Sequence, residues 1–459
     1  MRPDIKVEAA DAGNFAGLNL APKIKDYFSL KIYRLLRFIG RVADRMDFEV
    51  FAVGGFVRDF FLGVEDLDID IVVEGNAIRL AKCLARELKG SFVFHERFGT
   101  ATVVFPSRKD LDSSGSGVRT LKIDLAMART EIYECPAALP TVKFGQIEND
   151  LFRRDFTINA MAFKLNKRGF GKLLDPFKGR ADLKEKKIKV LHDLSFIDDP
   201  TRIFRAVRFE QRFNFKIEPH TEGLIKKAVG LRMVDRIQKQ RIRQEIIAIL
   251  NERQPLKAVK RLSELNELRF LHPNLRHARS CGHLFESVEE TLNWYDTAKL
   301  KKRRTIDRWL VYFGALVDGL NAREVKKMCE DFVFAKDDTI RLACYKRCGD
   351  GVISSLSKKE RLKPSHIYAC LDGLSYETML LLMAKSGSQT VKRRIFSYLT
   401  KYISIKLSAS GDDFTRAGID PGPHFKEIIK KTLYAKLDSK IKTKTEELNF
   451  ALNCLKAAA

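Results

Sequence analysis

The chain has 459 residues, too many for one ordinary core, so two to four domains are expected. Apolar residues make up 45% and charged residues 31%, which excludes an intrinsically disordered polypeptide. Lys and Arg number 84 against 59 Asp and Glu, a net charge of +25, and the excess is uneven: residues 1–180 hold 29 basic and 24 acidic side chains, the remainder 55 and 35. The second part is therefore expected to meet a polyanion, nucleic acid first, with an idle basic surface as the competing reading. No run approaches the ~20 apolar residues of a membrane helix; the longest, Met379-Leu-Leu-Leu-Met-Ala384, reads as a core-helix fragment. The first thirty residues carry Asp4, Glu8, Asp11 and Asp26 and no signal-type apolar stretch. Eight cysteines include no Cys-x-x-Cys pair, and Cys344 and Cys348, four apart, lack a second pair to complete a zinc site. Buried free thiols in a reducing cytoplasm are expected.

In chain order, Asp47–Val53 alternates as a strand and is broken by Gly54-Gly55. A short helix over Phe56–Leu62 ends at Gly63. Asp68–Glu74 is a second strand, and Asn76 caps a helix that runs to about Lys89 and stops at Gly90. Further strands are predicted at Ser91–Phe94, Thr100–Phe105, Leu121–Ala126 and Phe156–Leu165, with a hairpin loop at Asp110–Gly117. After about Arg180, helical periodicity takes over, at Thr201–Phe213, Gln238–Asn251, Leu256–Leu265 and Thr305–Leu320. A mixed α/β head followed by a helical body is predicted.

Three features of the head belong together. A glycine pair between strand and helix lets backbone N–H groups approach a phosphate, and Arg58 adds positive potential. Asp68 and Asp70, two apart on a strand, project from one face. Two like charges side by side are costly unless a cation sits between them, and Mg²⁺ suits carboxylates and substrate phosphates. Asp124, on another predicted strand, is placed to complete a two-metal site for phosphoryl or nucleotidyl transfer. Singly, each feature is also what an ordinary turn or solvated acidic pair looks like.

The order and spacing of these features carry a resemblance. Val53-Gly-Gly-Phe-Val-Arg-Asp-Phe-Phe-Leu-Gly63 followed by Leu67-Asp-Ile-Asp-Ile-Val-Val-Glu-Gly75 resembles the class II tRNA nucleotidyltransferase and bacterial poly(A) polymerase family. Asp150-Leu-Phe-Arg-Arg-Asp-Phe-Thr-Ile-Asn-Ala-Met-Ala162 is similar to its ribose-recognition motif, and Asp198-Asp-Pro-Thr-Arg-Ile-Phe-Arg-Ala-Val-Arg-Phe209 to its nucleobase-reading helix. The resemblance spans about residues 45–250. It implies metal binding by Asp68, Asp70 and Asp124, triphosphate binding by Gly54, Gly55, Arg58 and Arg154, and ribose binding by Asp155 and Asn159. Asp199 and Arg202 would read the base: the carboxylate accepts from the amine of cytosine or adenine, and the guanidinium donates to a ring acceptor. Being three apart, they are expected on one helix face. Arg205 and Arg208 would hold phosphates or brace Asp199. Where the family commonly has Glu before the base-reading Asp, this chain has Asp198. Arg129–Pro140 lies where the family has a flexible loop associated with switching from C to A addition, and is similar to the branch that includes A-only enzymes.

Arg241-Ile-Arg-Gln-Glu245 resembles the family's neck. Lys301, Lys302, Arg303 and Arg304, and the second cluster Lys392, Arg393 and Arg394, are candidate tRNA contacts. His283, with no His-Asp doublet, leaves the ligand set of the phosphohydrolase domain found in some relatives incomplete. Gly411–Pro423 and the helix Phe425–Lys436 resemble the tail that grips the tRNA elbow, which favours tRNA over messenger RNA. The resemblance thus implies an α+β fold. A polymerase-beta-like mixed-sheet head at 31–180 follows an extension at 1–30, and precedes a helical neck at 181–275, body at 276–400 and tail at 401–459. The implied activity is CMP and/or AMP addition to the tRNA 3′ end from CTP and ATP with Mg²⁺, in the cytoplasm. An A-only or CC-only enzyme and a poly(A) polymerase stay open as alternatives.

Overall fold

The computed structural model describes residues 18–64, 68–106, 120–132, 137, 141–265, 268–275, 282–298, 300, 304–422 and 424–456. The predicted hairpin loop at 110–117, most of the 129–140 loop, and Lys301, Lys302 and Arg303 lie outside these residues. The chain separates into two compact units, Met1–Ile237 and Gln238–Ala459.

The first unit opens with α1 (Ala21–Tyr27) and α2 (Leu30–Asp44), which the sequence reading passed over although Ile32, Leu35, Leu36, Ile39 and Val42 recur at helical spacing and are buried. The body of the head then follows as β1 (Glu49–Val53), α3 (Gly55–Leu62), β2 (Ile69–Glu74), α4 (Ala77–Glu87), β3 (Ser91–His95), β4 (Thr100–Pro106) and β5 (Thr120–Met127). The Asn76 side chain accepts from the Arg79 amide, capping α4 as predicted. Next come β6 (Arg129–Ile132), β7 (Thr141–Phe144), α5 (Ile147–Phe152), β8 (Ala162–Lys164) and β9 (Leu173–Leu174). Seven strands form one sheet in the order β3-β4-β5-β2-β1-β8-β9. β2 and β5 run parallel within a sheet whose other described pairs are antiparallel. One face packs on α4, which meets the buried Ala101, Val103 and Phe105. The other is covered over β1, β2 and β8 by α5, whose Ile147 and Leu151 pack on Phe51, Val53, Val72 and Ala162. Gly40 of α2 is required by close approach: a Cβ there would lie 1.9 Å from the Leu165 carbonyl oxygen.

Two expectations are corrected. Phe156–Leu165 is not one strand: Thr157–Asn159 forms a 3₁₀ turn, and pairing with β1 begins only at Ala162. The Asp155 carboxylate causes this by accepting from the Phe156 amide at 2.8 Å and from Asn159 Nδ2 at 2.9 Å, a local alternative to the ladder. The predicted 129–140 loop begins as a strand, since β6 pairs antiparallel with β7.

The unit closes with α6 (Gly179–Lys184), β10 (Lys187–Ile188), α7 (Ser195–Asp198), α8 (Thr201–Phe213), β11 (Lys216–Ile217) and α9 (Pro219–Gly230).

The second unit is helical: α10 (Lys239–Leu250), α11 (Pro255–Glu264), α12 (Gly282–Thr297), α13 (Arg308–Leu316), α14 (Ala322–Asp331), α15 (Lys336–Ser357), α16 (Pro364–Leu371), α17 (Tyr376–Ser386), α18 (Gln389–Thr400), α19 (Gly411–Arg416), α20 (Phe425–Leu437) and α21 (Lys444–Lys456). The Met379–Ala384 run is buried throughout within α17, which packs against α12, α13 and α15. Among the described residues no single helix is long and apolar enough to cross a membrane. Around α19–α21, Phe414, Ile419, Ile428 and Ala451 form a small core of their own. Beside it the fully buried Glu447 accepts from the Ser408 and Ala409 amides and from Lys436. The six described cysteines are free, with Cys344 and Cys348 3.6 Å apart, Sγ to Sγ.

Candidate active site

The parallel pairing of β2 with β5 sets Asp70 directly opposite Asp124. Asp68 precedes β2 by one residue and is exposed. Burial, then the Asp68 charge, push the Asp70 carboxyl up to about 6; Asp124 adds to this, and Arg154 opposes it. Asp124 is fixed by Thr102 Oγ1 of β4, which donates at 2.5 Å, and by Lys122, which pairs with its other oxygen. Among the described residues no three acidic, His or Cys side chains are already drawn close enough to hold a metal ion. The donor set nevertheless fits a hard divalent cation: facing carboxylate oxygens, one resisting ionisation because it is buried and has other carboxylates beside it.

Beside this pair, Gly54 ends β1 with φ +68° and caps α3. A Cβ there would meet Arg154 Nη1 at 2.5 Å and stand 3.8 Å from Asp70 Oδ2. Glycine is what lets that guanidinium reach the turn next to the carboxylates. Gly55 opens α3, a Cβ there being 3.5 Å from Arg58 Nη2. Arg58 is buried, with Nε and Nη2 donating to Asp59 and Nη1 donating to Asn159 Oδ1 at 2.6 Å. Its guanidinium also lies over the rings of Phe209 and Phe213. Expected at the triphosphate, it is placed behind Asn159.

Asn159 in turn donates to Asp155 Oδ1 at 2.9 Å, and Arg205 of α8 grips Asp155 Oδ2 through Nε at 2.8 Å and Nη2 at 2.6 Å. Burial opposes the charge on Asp155, but Arg205 and Asn159 overcome it and hold the carboxyl down at about 2. Asp59, Arg58, Asn159, Asp155 and Arg205 thus form a continuous chain of charge and hydrogen bonds between α3 and α8. Arg205, expected to hold phosphates or brace Asp199, grips Asp155.

Asp199 is not on the helix with Arg202. It is extended, ahead of α8, and accepts from the Thr201 amide at 3.1 Å and hydroxyl at 2.6 Å. Asp and Thr prefer such local turns to a helix interior, which explains the earlier break. Arg202, in the first turn of α8, is buried and donates to Ser195 Oγ and to the Arg153 carbonyl, each at 2.7 Å. Arg208 lies over the Phe209 ring. Of the 129–140 loop, Ala137 is buried and its amide donates to the Ile197 carbonyl at 3.1 Å, two residues from Asp199.

Several supporting residues escaped the sequence reading. Asp150, fully buried on α5, binds Arg153 at 2.6 Å and Arg154 at 2.9 Å. Burial opposes its charge, and the two arginines together hold its carboxyl below the usual range. Its i, i+3 and i, i+4 spacing to them was a legible signal. Arg153 also reaches Glu131 of β6 at 3.1 Å. Thr102 and Ser195 had no local signal. In the second unit, Arg394 donates to the carbonyls of Leu356, Lys358 and Glu360. Expected as a candidate tRNA contact, it is hydrogen-bonded at the C-terminal end of α15. Arg393 is exposed and Lys392 half-buried, while exposed Arg304 lies over the Tyr376 ring.

Residues 50–189 match the poly A polymerase head domain model, and 214–279 match the probable RNA and SrmB-binding site of polymerase A. The chain is 40% identical to an A-adding tRNA nucleotidyltransferase of Geobacter sulfurreducens, over 92% of this chain and 47% of that protein. A second A-adding tRNA nucleotidyltransferase, from Halalkalibacterium halodurans, is 30% identical over 91% of both chains. This chain therefore spans about half the length of the first relative and nearly all of the second. Among solved structures, a CCA-adding enzyme in an apo form aligns with a TM-score of 0.75 at 35% identity, covering 95% of this chain and 99% of that one. The Thermotoga maritima CCA-adding enzyme complexed with tRNA aligns at 0.70 and 34%, with 95% and 99% coverage. Aligned almost end to end with the Halalkalibacterium protein and the two solved structures, and carrying the facing carboxylates, the glycine turn and the Asp155 network, this chain belongs to the class II tRNA nucleotidyltransferase and poly(A) polymerase family.

Proposed function

We propose that this chain is a template-independent tRNA nucleotidyltransferase that adds CMP, AMP or both to the tRNA 3′ end from CTP and ATP, releasing pyrophosphate. The observation that carries the reading is the register of β2 on β5, which faces Asp70 with Asp124 beside the Gly54 turn. Divalent cations, Mg²⁺ first, would be held by Asp68, Asp70 and Asp124 and would stabilise the attacking and leaving oxygens, as enzymes of this class require. The Gly54 turn and Arg154 receive the triphosphate, with Gly55 opening the helix whose N-terminal amides favour anions. Asp155 and Asn159, pre-aligned by Arg205 and Arg58, hold the ribose hydroxyls. Asp199 and Arg202 select cytosine and adenine, since uracil and guanine present a carbonyl where the carboxylate sits. Arg205 and Arg208 act as supports of this pocket. Arg304, Lys392 and Arg393, with Lys301, Lys302 and Arg303, supply backbone contacts to the acceptor stem and elbow. In this reading 31–180 is the catalytic head, 181–275 the neck that reads the base, 276–400 the body and 401–459 the tail. The enzyme works in the cytoplasm, which suits its free cysteines.

The narrower reading, addition of the terminal A alone, is favoured by the names of both relatives above. The deciding experiment gives the protein tRNA transcripts lacking CCA, ending in C and ending in CC, with Mg²⁺ and labelled CTP or ATP. Completion of all three identifies a CCA-adding enzyme. Extension of only the CC-ending transcript, by one A, identifies an A-adding one. Long A tails on any RNA overturn the tRNA reading in favour of a poly(A) polymerase.

A further inference from the structure

The net charge of the head is concentrated on two helices. Residues 30–45 and 77–89, which are α2 and α4 with their C-terminal ends, hold nine basic and two acidic side chains, a net charge of +7. The rest of residues 1–180 holds 20 basic and 22 acidic ones. Both helices lie on the sheet face opposite the carboxylates. There α4 packs on β4 and β5, and α2 contacts α4 and β1, whose other face is taken by α5. Each helix buries its apolar side, Leu35, Leu36 and Ile39 on α2 and Leu80 and Leu84 on α4. Their outer sides therefore look away from the sheet.

On those outer sides α2 exposes Arg34, Arg41 and Arg45, and α4 exposes Arg79, Lys82, Arg86 and Lys89. Steps of three, four and seven residues set each group in one row along its helix. The rows run for about 15 Å, and helices in contact lie about 8 to 10 Å apart. Arg45 pairs with Glu87 at 2.5 Å and ties the two ends together. Asp44, the other acidic residue, is taken by the Asn166 side chain and the Lys167 amide. Among the described residues, Arg34, Arg41, Arg79, Lys82 and Lys89 have no carboxylate partner. In this they differ from Arg58, Arg153, Arg154 and Arg205, all committed to internal carboxylates. Like charges three and four apart repel along a helix, and an external anion relieves that repulsion.

We infer that the outer face of α2 and α4 is a docking surface for the phosphate backbone of duplex RNA, separate from the catalytic face. Two rows of cations on rigid helices match two rows of phosphates, and guanidinium groups pair with phosphate through two parallel hydrogen bonds. Single-stranded RNA is held by exposed aromatic rings, whereas Tyr33 and Phe38 of α2 are half-buried. A lipid surface would need an exposed apolar side, and Leu30 is the only large apolar side chain that the two helices expose. Because the face is turned away from Asp70 and Asp124, the RNA held there is not the 3′ end brought to the carboxylates. The inference does not depend on the reading of the chain as a tRNA nucleotidyltransferase.

The test is binding of a blunt RNA duplex of about 20 base pairs to the full chain, followed by fluorescence anisotropy across a salt series. Arg34→Glu with Arg41→Glu, and Lys82→Glu with Arg86→Glu, are each expected to weaken binding about tenfold or more at low salt and to flatten its salt dependence by about two units of slope. The melting temperature and the KM for tRNA in extension of a CC-ending tRNA should stay nearly unchanged. Gln at the same four positions removes the charge and keeps helix-forming side chains, and is expected to weaken binding about threefold to tenfold, so a folding defect of the Glu variants does not decide the outcome. An unchanged duplex affinity in the Glu and Gln variants overturns the proposal. So does an equal rise in KM for tRNA, which would make the face part of the substrate's own path. Loss of poly-glutamate binding with duplex affinity intact overturns it in favour of an acidic protein. Independently, a photoreactive benzophenone side chain at position 82 is expected to crosslink to the duplex, and its failure to do so overturns the assignment. Failure of the unsubstituted protein to extend any tRNA would instead overturn the proposed function and leave this surface standing.

Discussion

Asp70 and Asp155 lie in one unit, a strand or two apart, and their carboxyls are displaced in opposite directions. Asp70, facing Asp124 and near Asp68, is held up at about 6, whereas Asp155, gripped by Arg205 and Asn159, is held down at about 2. Burial raises both, so the difference lies in their partners. Asp155 has its charge answered by protein, through Arg205, Asn159 and the Phe156 amide, which hold the carboxylate in one orientation. Asp70 sits among more negative charge than Lys122 and Arg154 offset, which suits a group meant to share a cation. A site that binds by shape is neutralised in advance; a site that binds by charge is left short of its counter-ion.

Breaking the second kind has the largest expected effect. Asp70→Ala and Asp124→Ala should each cut nucleotide incorporation by about 10³-fold or more, with tRNA affinity in a filter-binding assay nearly unchanged. Loss of both together would mark a structural role and erase the contrast. Arg205→Ala attacks the first kind: it leaves Asp155 buried without its bidentate partner, at a cost of about 3 kcal/mol in denaturant unfolding. It should also weaken discrimination between NTP and dNTP, while Arg205→Lys restores part of the stability.

The opposite shifts predict opposite pH behaviour in protein stripped of divalent cations with EDTA. Asp70 binds a proton more tightly folded than unfolded, so between about pH 4 and 6 its contribution to stability falls as pH rises. Asp70→Asn should therefore stabilise the stripped protein by about 2 kcal/mol at pH 7.5 and have little effect at pH 4. Asp155 is the reverse: its contribution is present above about pH 4 and is lost as pH falls toward 2. Unfolding curves across this range for the two Asn variants check both signs. The smallest effects separate neighbours in one cluster of the second unit. Arg393→Ala should lower the salt dependence of tRNA binding by about one unit of slope with stability unchanged. Arg394→Ala should instead cost about 1 to 3 kcal/mol of stability, because three carbonyls at the end of α15 lose their donor.

Much of the head was legible because its signals are local. The alternation of β1, β2, β4 and β5, the Asn76 cap and the glycine pair each act within a few residues. Where the reading failed, a side chain had overruled periodicity. Asp155 drew Phe156 and Asn159 into a turn where a strand was expected, and the Asp199 turn onto Thr201 set that residue ahead of α8. Arg58 and Arg394 looked alike as cations in the sequence, yet both are committed to internal partners. Basic residue type states what a side chain can hold, and only its neighbours state what it does hold.

By itself the sequence determined that Asp70 lies on the second strand with Asp68 two residues ahead of it, that glycine stands at the turn from β1 into α3, and that α8 carries Arg202, Arg205 and Arg208. These follow from fixed periods and from the steric freedom of one residue type. The tertiary structure alone decided that Asp124 would face Asp70 and that Arg205 would cross 50 positions to Asp155. Those pairings join residues distant along the chain. Strand register and helix packing set them, and no local pattern encodes which of several equivalent partners the folded chain brings into contact.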